Sequence, residues 1–106
     1  MGYELENTVL RHQYGVALSR VGRTEAAITE FSQIIDVESS RVPVRETLIM
    51  ALTTRIINLK RLGRMDEARV DVRTARELLA RHAHLAHSAI RLDEIDSELP
   101  NLAPLA

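Results

Sequence analysis

Three observations predict an all-α fold for this chain of 106 residues. Apolar side chains recur at steps of three and four over long stretches, the spacing of one face of a helix. Alternation of β-branched and aromatic residues, the mark of strands, is missing, and the aromatic side chains are only Tyr3, Tyr14 and Phe31. Shifting the sequence against itself by 41 residues lays Leu18-Ser19-Arg20-Val21-Gly22-Arg23 over Leu59-Lys60-Arg61-Leu62-Gly63-Arg64, with Ala27 over Ala68 and Phe31 over Val72. One helix–turn–helix design is therefore used twice.

Five helices follow in order. The first, residues 3–21, carries Leu5, Val9, Leu10, Tyr14, Ala17, Leu18 and Val21 as its predicted apolar face, and Gly22 suits the left-handed residue that closes it. Thr24 is the predicted N-cap of the second, residues 24–38, with Glu25 in its first turn and Ala27, Ile28, Phe31, Ile34 and Ile35 facing the core. Ser39 to Arg45 connects the two units. Pro43 suits the first turn of the third helix, and Val42 before it is pushed towards extended geometry. That helix, residues 44–62, presents Leu48, Ala51, Leu52, Ile56, Leu59 and Leu62 and stops at Gly63. The fourth, residues 66–81, is capped by Asp66 and presents Ala68, Val72, Ala75, Leu78 and Leu79. The fifth, residues 85–99, carries Leu85, Ala89, Leu92, Ile95 and Leu99 and ends at Pro100. Residues 100–106 read as a loose tail.

Composition narrows the function classes. The length fits one domain, residues 1–106, divided into repeat one (3–40), repeat two (44–81) and a closing helix (85–99). Apolar residues make up 45% and charged residues 27%, the balance of a folded soluble chain. The formal charge, 14 − 15 = −1, argues against a polybasic nucleic-acid binder. The absence of cysteine excludes disulfides, thiolate metal sites and thiol catalysis. The acidic start Met1-Gly2-Tyr3-Glu4-Leu5-Glu6 lacks the features of a secretory signal, and Glu6 stands where a myristoylation motif wants Ser or Thr. No apolar run approaches the roughly 18 residues that span a bilayer. A cytoplasmic protein with no membrane contact is expected. The basic residues are 13 Arg and Lys60 alone, a bias of GC-rich bacterial coding that carries no mechanism.

The first unit reads Arg11-x2-Tyr14-Gly15-x2-Leu18 and then Ala27-x3-Phe31; the second reads Leu52-x2-Arg55-Ile56-x2-Leu59 and then Ala68-x3-Val72. This spacing resembles the tetratricopeptide repeat family, whose pattern is W-x2-L-G-x2-Y followed by A-x3-F. Small Gly15, Ala27 and Ala68 would let antiparallel helices approach, and Leu18, Phe31, Leu59 and Val72 would fill the space beside them. Ile56 and Arg55 depart from the pattern, Ser39 and Ala80 replace its terminal proline, and the repeat is 41 residues rather than about 34. The resemblance is to a long-repeat bacterial variant, the kind found in regulators and scaffolds. It implies two tetratricopeptide-like repeats plus a capping helix, a fragment of a right-handed α-solenoid.

No reactive constellation stands out. His82, His84 and His87 form H-x-H-x2-H, but no cysteine completes a zinc site and the nearest acids are Asp93 and Glu94, so a surface cluster is expected and no metal. His12 lies at the edge of the first helix opposite its predicted apolar face, so it is either exposed or part of a groove. Arg69, Arg73 and Arg76 share helix spacing with Asp66 and Glu77, and Glu77 with Arg81, as a solvated face does. Asp93, Glu94, Asp96 and Glu98 make the last helix acidic, which suits a solubilising cap. There is no G-x-S-x-G, phosphate-binding glycine loop or H-E-x-x-H. Neither an enzyme nor a cofactor is expected. Arg55 occupies a seam position that the repeat pattern makes apolar, where it must either find a partner such as Glu30 or Asp36 or keep its guanidinium in water.

The resemblance implies that the first helices of successive units line a concave surface. The 41-residue offset pairs Val9 with Met50, His12 with Thr53, Gln13 with Thr54, Val16 with Ile57 and Ser19 with Lys60. The candidate partner-binding groove is therefore Val9, His12, Gln13, Val16, Met50, Thr53, Thr54 and Ile57. An apolar groove with a polar rim suits an amphipathic helix or extended peptide. The expected function is a non-catalytic protein-interaction module. The alternatives are a homo-oligomerisation domain whose groove is already filled, as in a homodimer, and a DNA-associated domain using Arg20, Arg23, Arg61 and Arg64. Those cations complement helix dipoles in any case, which disfavours nucleic acid.

Overall fold

The computed structural model describes residues 7–88. They form four α-helices, α1 (Thr8–Arg20), α2 (Thr24–Glu38), α3 (Glu46–Arg61) and α4 (Met65–Arg81), followed by a 3-10 helix over Ala83–Ser88. No strand occurs among the described residues. The fifth helix predicted at 85–99 lies outside them, except for residues 85–88, which belong to the 3-10 helix and not to an α-helix. The tail and the acidic cluster from Asp93 to Glu98 also lie outside.

Two turns of one design make the hairpins. After α1, Gly22 takes φ 84°. Its N–H bonds to the Ser19 carbonyl at 3.2 Å and that of Arg23 to the Leu18 carbonyl at 2.9 Å. After α3, Gly63 takes φ 76°. Its N–H bonds to the Lys60 carbonyl at 3.0 Å and that of Arg64 to the Leu59 carbonyl at 2.9 Å. Both are Schellman closures, which satisfy orphan carbonyls and need a residue without Cβ at positive φ. The next helix begins at once, so α1 and α2, and α3 and α4, form antiparallel hairpins. The expected caps move: Arg23 and Arg64 are the N-cap residues, and neither makes a side-chain cap. Thr24 and Asp66 lie inside the first turn instead. The Schellman geometry commits the residue directly after Gly22 or Gly63 to the cap position. Pro43 also falls short of the third helix, following a cis peptide bond in the connector, and α3 starts at Glu46.

The second hairpin packs against α2, and two clusters of buried side chains result. One joins Leu18, Ala27, Phe31, Ile34 and Ala51 across α1, α2 and α3. The other joins Ile28, Leu48, Leu52, Ile56, Leu59, Ala68, Val72 and Ala75 across α2, α3 and α4. The faces predicted for α2, α3 and α4 are buried apart from Leu62, which is 39% exposed at the C-cap, and Ile35, Leu78 and Leu79, which are half-buried. Leu85 in the 3-10 helix is 2% exposed, and His84 Nε2 lies 2.9 Å from the Val44 carbonyl.

Of the face predicted for α1, Leu5 lies outside the described residues, Leu18 is buried as expected, and the rest is exposed. Leu10, Tyr14 and Val21 are 62, 56 and 71% exposed, and Val9 is 46% exposed. The buried residues of α1 are Thr8, His12, Gly15 and Leu18. What turns the helix is Gly15: a Cβ built there would stand 2.6 Å from Phe31 Cε1. Only the glycine side lets α1 sit on the Phe31 ring, and that rotates its longer apolar stripe outward.

Polar groups fix the ends. Glu38 is 0% exposed and accepts from Thr8 Oγ1 at 2.5 Å and from Arg45 Nε at 3.1 Å, with a second, closer bond from Arg45 Nη2. Arg45 Nη2 also reaches Thr8 Oγ1 at 2.9 Å. This network joins the start of α1, the end of α2 and the entry to α3. Arg55 has found a partner the sequence did not indicate. Its Nε and Nη2 form a two-pronged pair with Asp71 at 2.7 and 2.6 Å, and Nη1 donates to Ser32 Oγ at 3.1 Å. Arg55 thus bridges α2, α3 and α4.

Two stability outcomes follow. Gly15→Leu overpacks the contact with Phe31 by enough to destabilise by roughly 1–3 kcal/mol in chemical denaturation. Better helix propensity returns at most about 1 kcal/mol. Asp71→Ala leaves Arg55 half-buried and unpaired, and a loss of about 3 kcal/mol is expected. Arg55→Met combined with Asp71→Leu should restore most of it, which a melting curve of the double variant checks.

Candidate functional site

α1 and α3 lie side by side, and polar side chains join them. Ser19 Oγ donates to Asn58 Oδ1 at 2.9 Å, and Asn58 Nδ2 donates to the Thr54 carbonyl at 2.8 Å. Arg61 Nη1 crosses from α3 to bond Ser19 Oγ at 2.6 Å and the Ser19 carbonyl at 3.2 Å. One turn further along, Thr54 Oγ1 lies 3.3 Å from His12 Nε2. Between these struts a cleft of about 210 Å³ opens, lined by Val16, Ser19, Arg20, Phe31, Thr54, Ile57, Asn58 and Arg61. Phe31 forms its base, reaching up from α2. A shallower hollow on α1 adjoins it, lined by His12, Gln13, Val16, Ala17, Arg20 and Val21. Both linings together hold two arginines and no carboxylate.

The predicted groove residues divide between these surfaces. Val16, Thr54 and Ile57 meet in the cleft, and His12, Gln13 and Val16 line the hollow. Val9 and Met50 are exposed outside both linings. Thr53 is 5% exposed with its hydroxyl on the Met50 carbonyl, so it does not belong to the groove. His12 is not at an open edge: it is 8% exposed, with its ring centroid 5.5 Å from that of Phe31. Sequence reasoning missed Asn58, Arg20 and Arg61 as lining residues. The repeat offset points to Ser19 and Lys60, and the neighbouring cations at the two helix ends read as dipole partners.

Burial sets the chemistry of His12. Desolvation holds its imidazole below the ordinary value of 6.5, and a hydrogen bond to the Met50 carbonyl offsets only part of that. Glu38 stands in the opposite balance. Burial alone would raise its carboxyl, but hydrogen bonds from Arg45 and Thr8 and the charges of Arg45 and Arg41 outweigh it and hold the group below the usual 4.5.

A second cleft, about 240 Å³, lies where α2, α3 and α4 meet, lined by Ile28, Ser32, Arg55, Leu59, Arg64, Glu67, Val70 and Asp71. Its charges are matched in pairs, Arg55 with Asp71 and Arg64 with Glu67. They neutralise each other and leave little for a ligand. The His82 and His84 rings meet edge to face at 5.8 Å, and among the described residues no group of three or more His, Asp or Glu could hold a metal. No helix of the described residues is long and apolar enough to cross a membrane. No family model matches the sequence, and comparison with curated proteins and with solved structures returns no match.

The buried His12 carries a pH dependence. The unfolded chain binds this proton more tightly than the folded one, so stability is fully present above 6.5 and is lost as pH falls through that value towards the lower folded pKa. The melting temperature is expected to drop on acidification from about pH 7 to about pH 5, and His12→Gln should flatten that segment. A further loss below 4.5 belongs to Glu38 and persists in the variant.

Proposed function

We propose that this chain is a non-catalytic protein-interaction module that takes an amphipathic helix or extended peptide in the cleft between α1 and α3. The observation that carries the reading is the cleft floor. Val16 and Ile57 are half-buried apolar side chains at equivalent places in the two hairpins, over a fully buried Phe31 and within a rim of hydrogen-bonding groups. Such a surface gains from being dried by an apolar side chain and can pair the polar groups beside it.

The same proposal takes the two hairpins as tetratricopeptide-like repeats of a short right-handed solenoid, in the setting of a bacterial regulator or scaffold. Its support is local. Ala27 and Ala68 are both 0% exposed at the hairpin contacts, and the Gly22 and Gly63 closures share one geometry. Two of the departures in repeat two also compensate each other. Ile56 replaces the glycine and Val72 the phenylalanine, and both lie in one buried cluster. The gap filled from α2 in the first hairpin is filled from α3 in the second.

A homo-oligomer is the second reading, and a surface that overlaps only the hollow, at Ala17 and Val21, favours it. Leu10, Tyr14, Ala17 and Val21 form an exposed apolar stripe at helical spacing along the outside of α1. A second copy could bury that stripe without entering the cleft.

Val16→Glu and Ile57→Glu test the leading reading. A buried unpaired charge costs several kcal/mol when a ligand dries the surface, but half-exposed positions tolerate it in the free protein. Both variants are expected to fold and melt near the parent while losing the captured partner. Unfolding of both would place these residues in the core and remove the cleft as a site. Loss of a dimer in Tyr14→Glu, read by light scattering, would favour the second reading.

A further inference from the structure

We infer that the occupant of the α1–α3 cleft is an acidic amphipathic segment of another protein: an apolar side chain flanked by carboxylates. The inference rests on the interaction-module reading and specifies its partner. It stands on the imbalance of charge around the cleft. The chain is formally −1, yet the cleft and the adjoining hollow present Arg20 and Arg61 and no acid. Four half-buried arginines lie against carboxylates, Arg45 with Glu38, Arg55 with Asp71, Arg69 with Asp66 and Arg11 with Glu30, whereas Arg20 and Arg61 are exposed at the ends of their helices. In the cleft that compensation is missing among the described residues.

Arg61 is also held in place. Its Nη1 is fastened to Ser19 by two hydrogen bonds, so the guanidinium stands at the cleft mouth. Its other N–H groups have no protein acceptor among the described residues. A guanidinium fixed in this way has already lost much of its rotational freedom, and its planar fork matches the two oxygens of a carboxylate. Val16, Ile57 and Phe31 lie beside it and demand a different chemistry, an apolar side chain. A nucleic-acid backbone would satisfy the arginines and leave that floor wet. A purely apolar peptide would dry the floor and leave Arg61 desolvated without a partner. A leucine-like residue with Asp or Glu about a helical turn away satisfies both.

The test is a selection of randomised, helix-compatible peptides on the full chain, repeated with Arg20→Gln/Arg61→Gln and with Ile57→Glu. The expected result is enrichment of Asp or Glu three or four residues from Leu, Ile or Phe, with affinity falling at least tenfold in the arginine variant and weakening as salt rises. Selected peptides without acidic preference, or indifferent to the arginine variant but lost in Ile57→Glu, would overturn this inference and leave the interaction module standing. If no peptide is retained, or retention is indifferent to Ile57→Glu, both fall. Retention of random duplex DNA that is lost in the arginine variant would overturn it in favour of phosphate. Since the chain has no cysteine, Ile57→Cys/Ile95→Cys gives a clean oxidation test for the remaining occupants. A rapid cross-link within the monomer would show the chain's own acidic segment in the cleft, and a cross-linked dimer would show a second copy. Either outcome overturns the inference, and slow, indifferent oxidation is expected.

Discussion

The seating of Phe31 on Gly15 is the constraint from which much of the rest follows. Phe31 is fully buried, and its ring touches the bare backbone of α1 where no Cβ would fit. A large side chain against a glycine brings two helices closer than paired medium residues could, and it fixes their rotation as well as their distance. The rotation decides which side of α1 is inside. It buries His12 beside the ring, sends Leu10 and Tyr14 outward, and leaves Val16 at the boundary, where α3 comes alongside. The same ring lines the cleft. Core packing and candidate site are thus two sides of one contact.

Around that contact the buried polar groups act on register more than on strength. Glu38 with Thr8 and Arg45, Arg55 with Asp71 and Ser32, and Asn58 with Ser19 each bond across helices that an apolar core alone would let slide. Each group paid off in hydrogen bonds avoids the penalty of an unpaired buried donor or acceptor, while its net gain over well-packed apolar residues is small. Their value lies in making the displaced arrangements poor. A helix slipped by one turn would strand a carboxylate or a guanidinium in a dry seam.

The sequence was legible where apolar periodicity and packing agree. In α2, Ala27, Ile28, Phe31 and Ile34 are both the periodic residues and the buried ones, and the predicted span matches Thr24–Glu38. The glycine turns were legible because positive φ is a backbone demand that few residues meet. In α1 the two signals part. Its apolar stripe is longer than its buried face, and apart from Leu18 the buried face is made of Thr8, His12 and Gly15, residues that no hydropathy pattern selects. The repeat alignment singled out Gly15 where periodicity could not, because it registers a missing side chain. Asp71 as the partner of Arg55 was out of reach for another reason. The pairing spans two helices and depends on their rotation, whereas sequence proximity suggested acids on the preceding hairpin.

The same logic explains why the cleft between α1 and α3 differs in character from the one where α2, α3 and α4 meet. Where α2, α3 and α4 meet, apolar side chains from all three helices interlock, and the cleft left beside them is occupied by charges already paired with each other, Arg55 with Asp71 and Arg64 with Glu67. Between α1 and α3 the link is made by short polar side chains, Ser19, Thr54 and Asn58, and by the long reach of Arg61. Polar struts hold helices at a set distance without filling the volume between them, because each needs only one bonded atom at its tip. An apolar seam closes until it is dense, and a strutted one stays open over whatever lies beneath. Here that is Phe31, so the opening has an apolar floor and hydrogen-bonding walls. It follows that the walls cannot be made apolar without collapsing the cleft, and the floor cannot be made small without loosening α1. The residues that keep the cleft open are the ones that hold the two hairpins together.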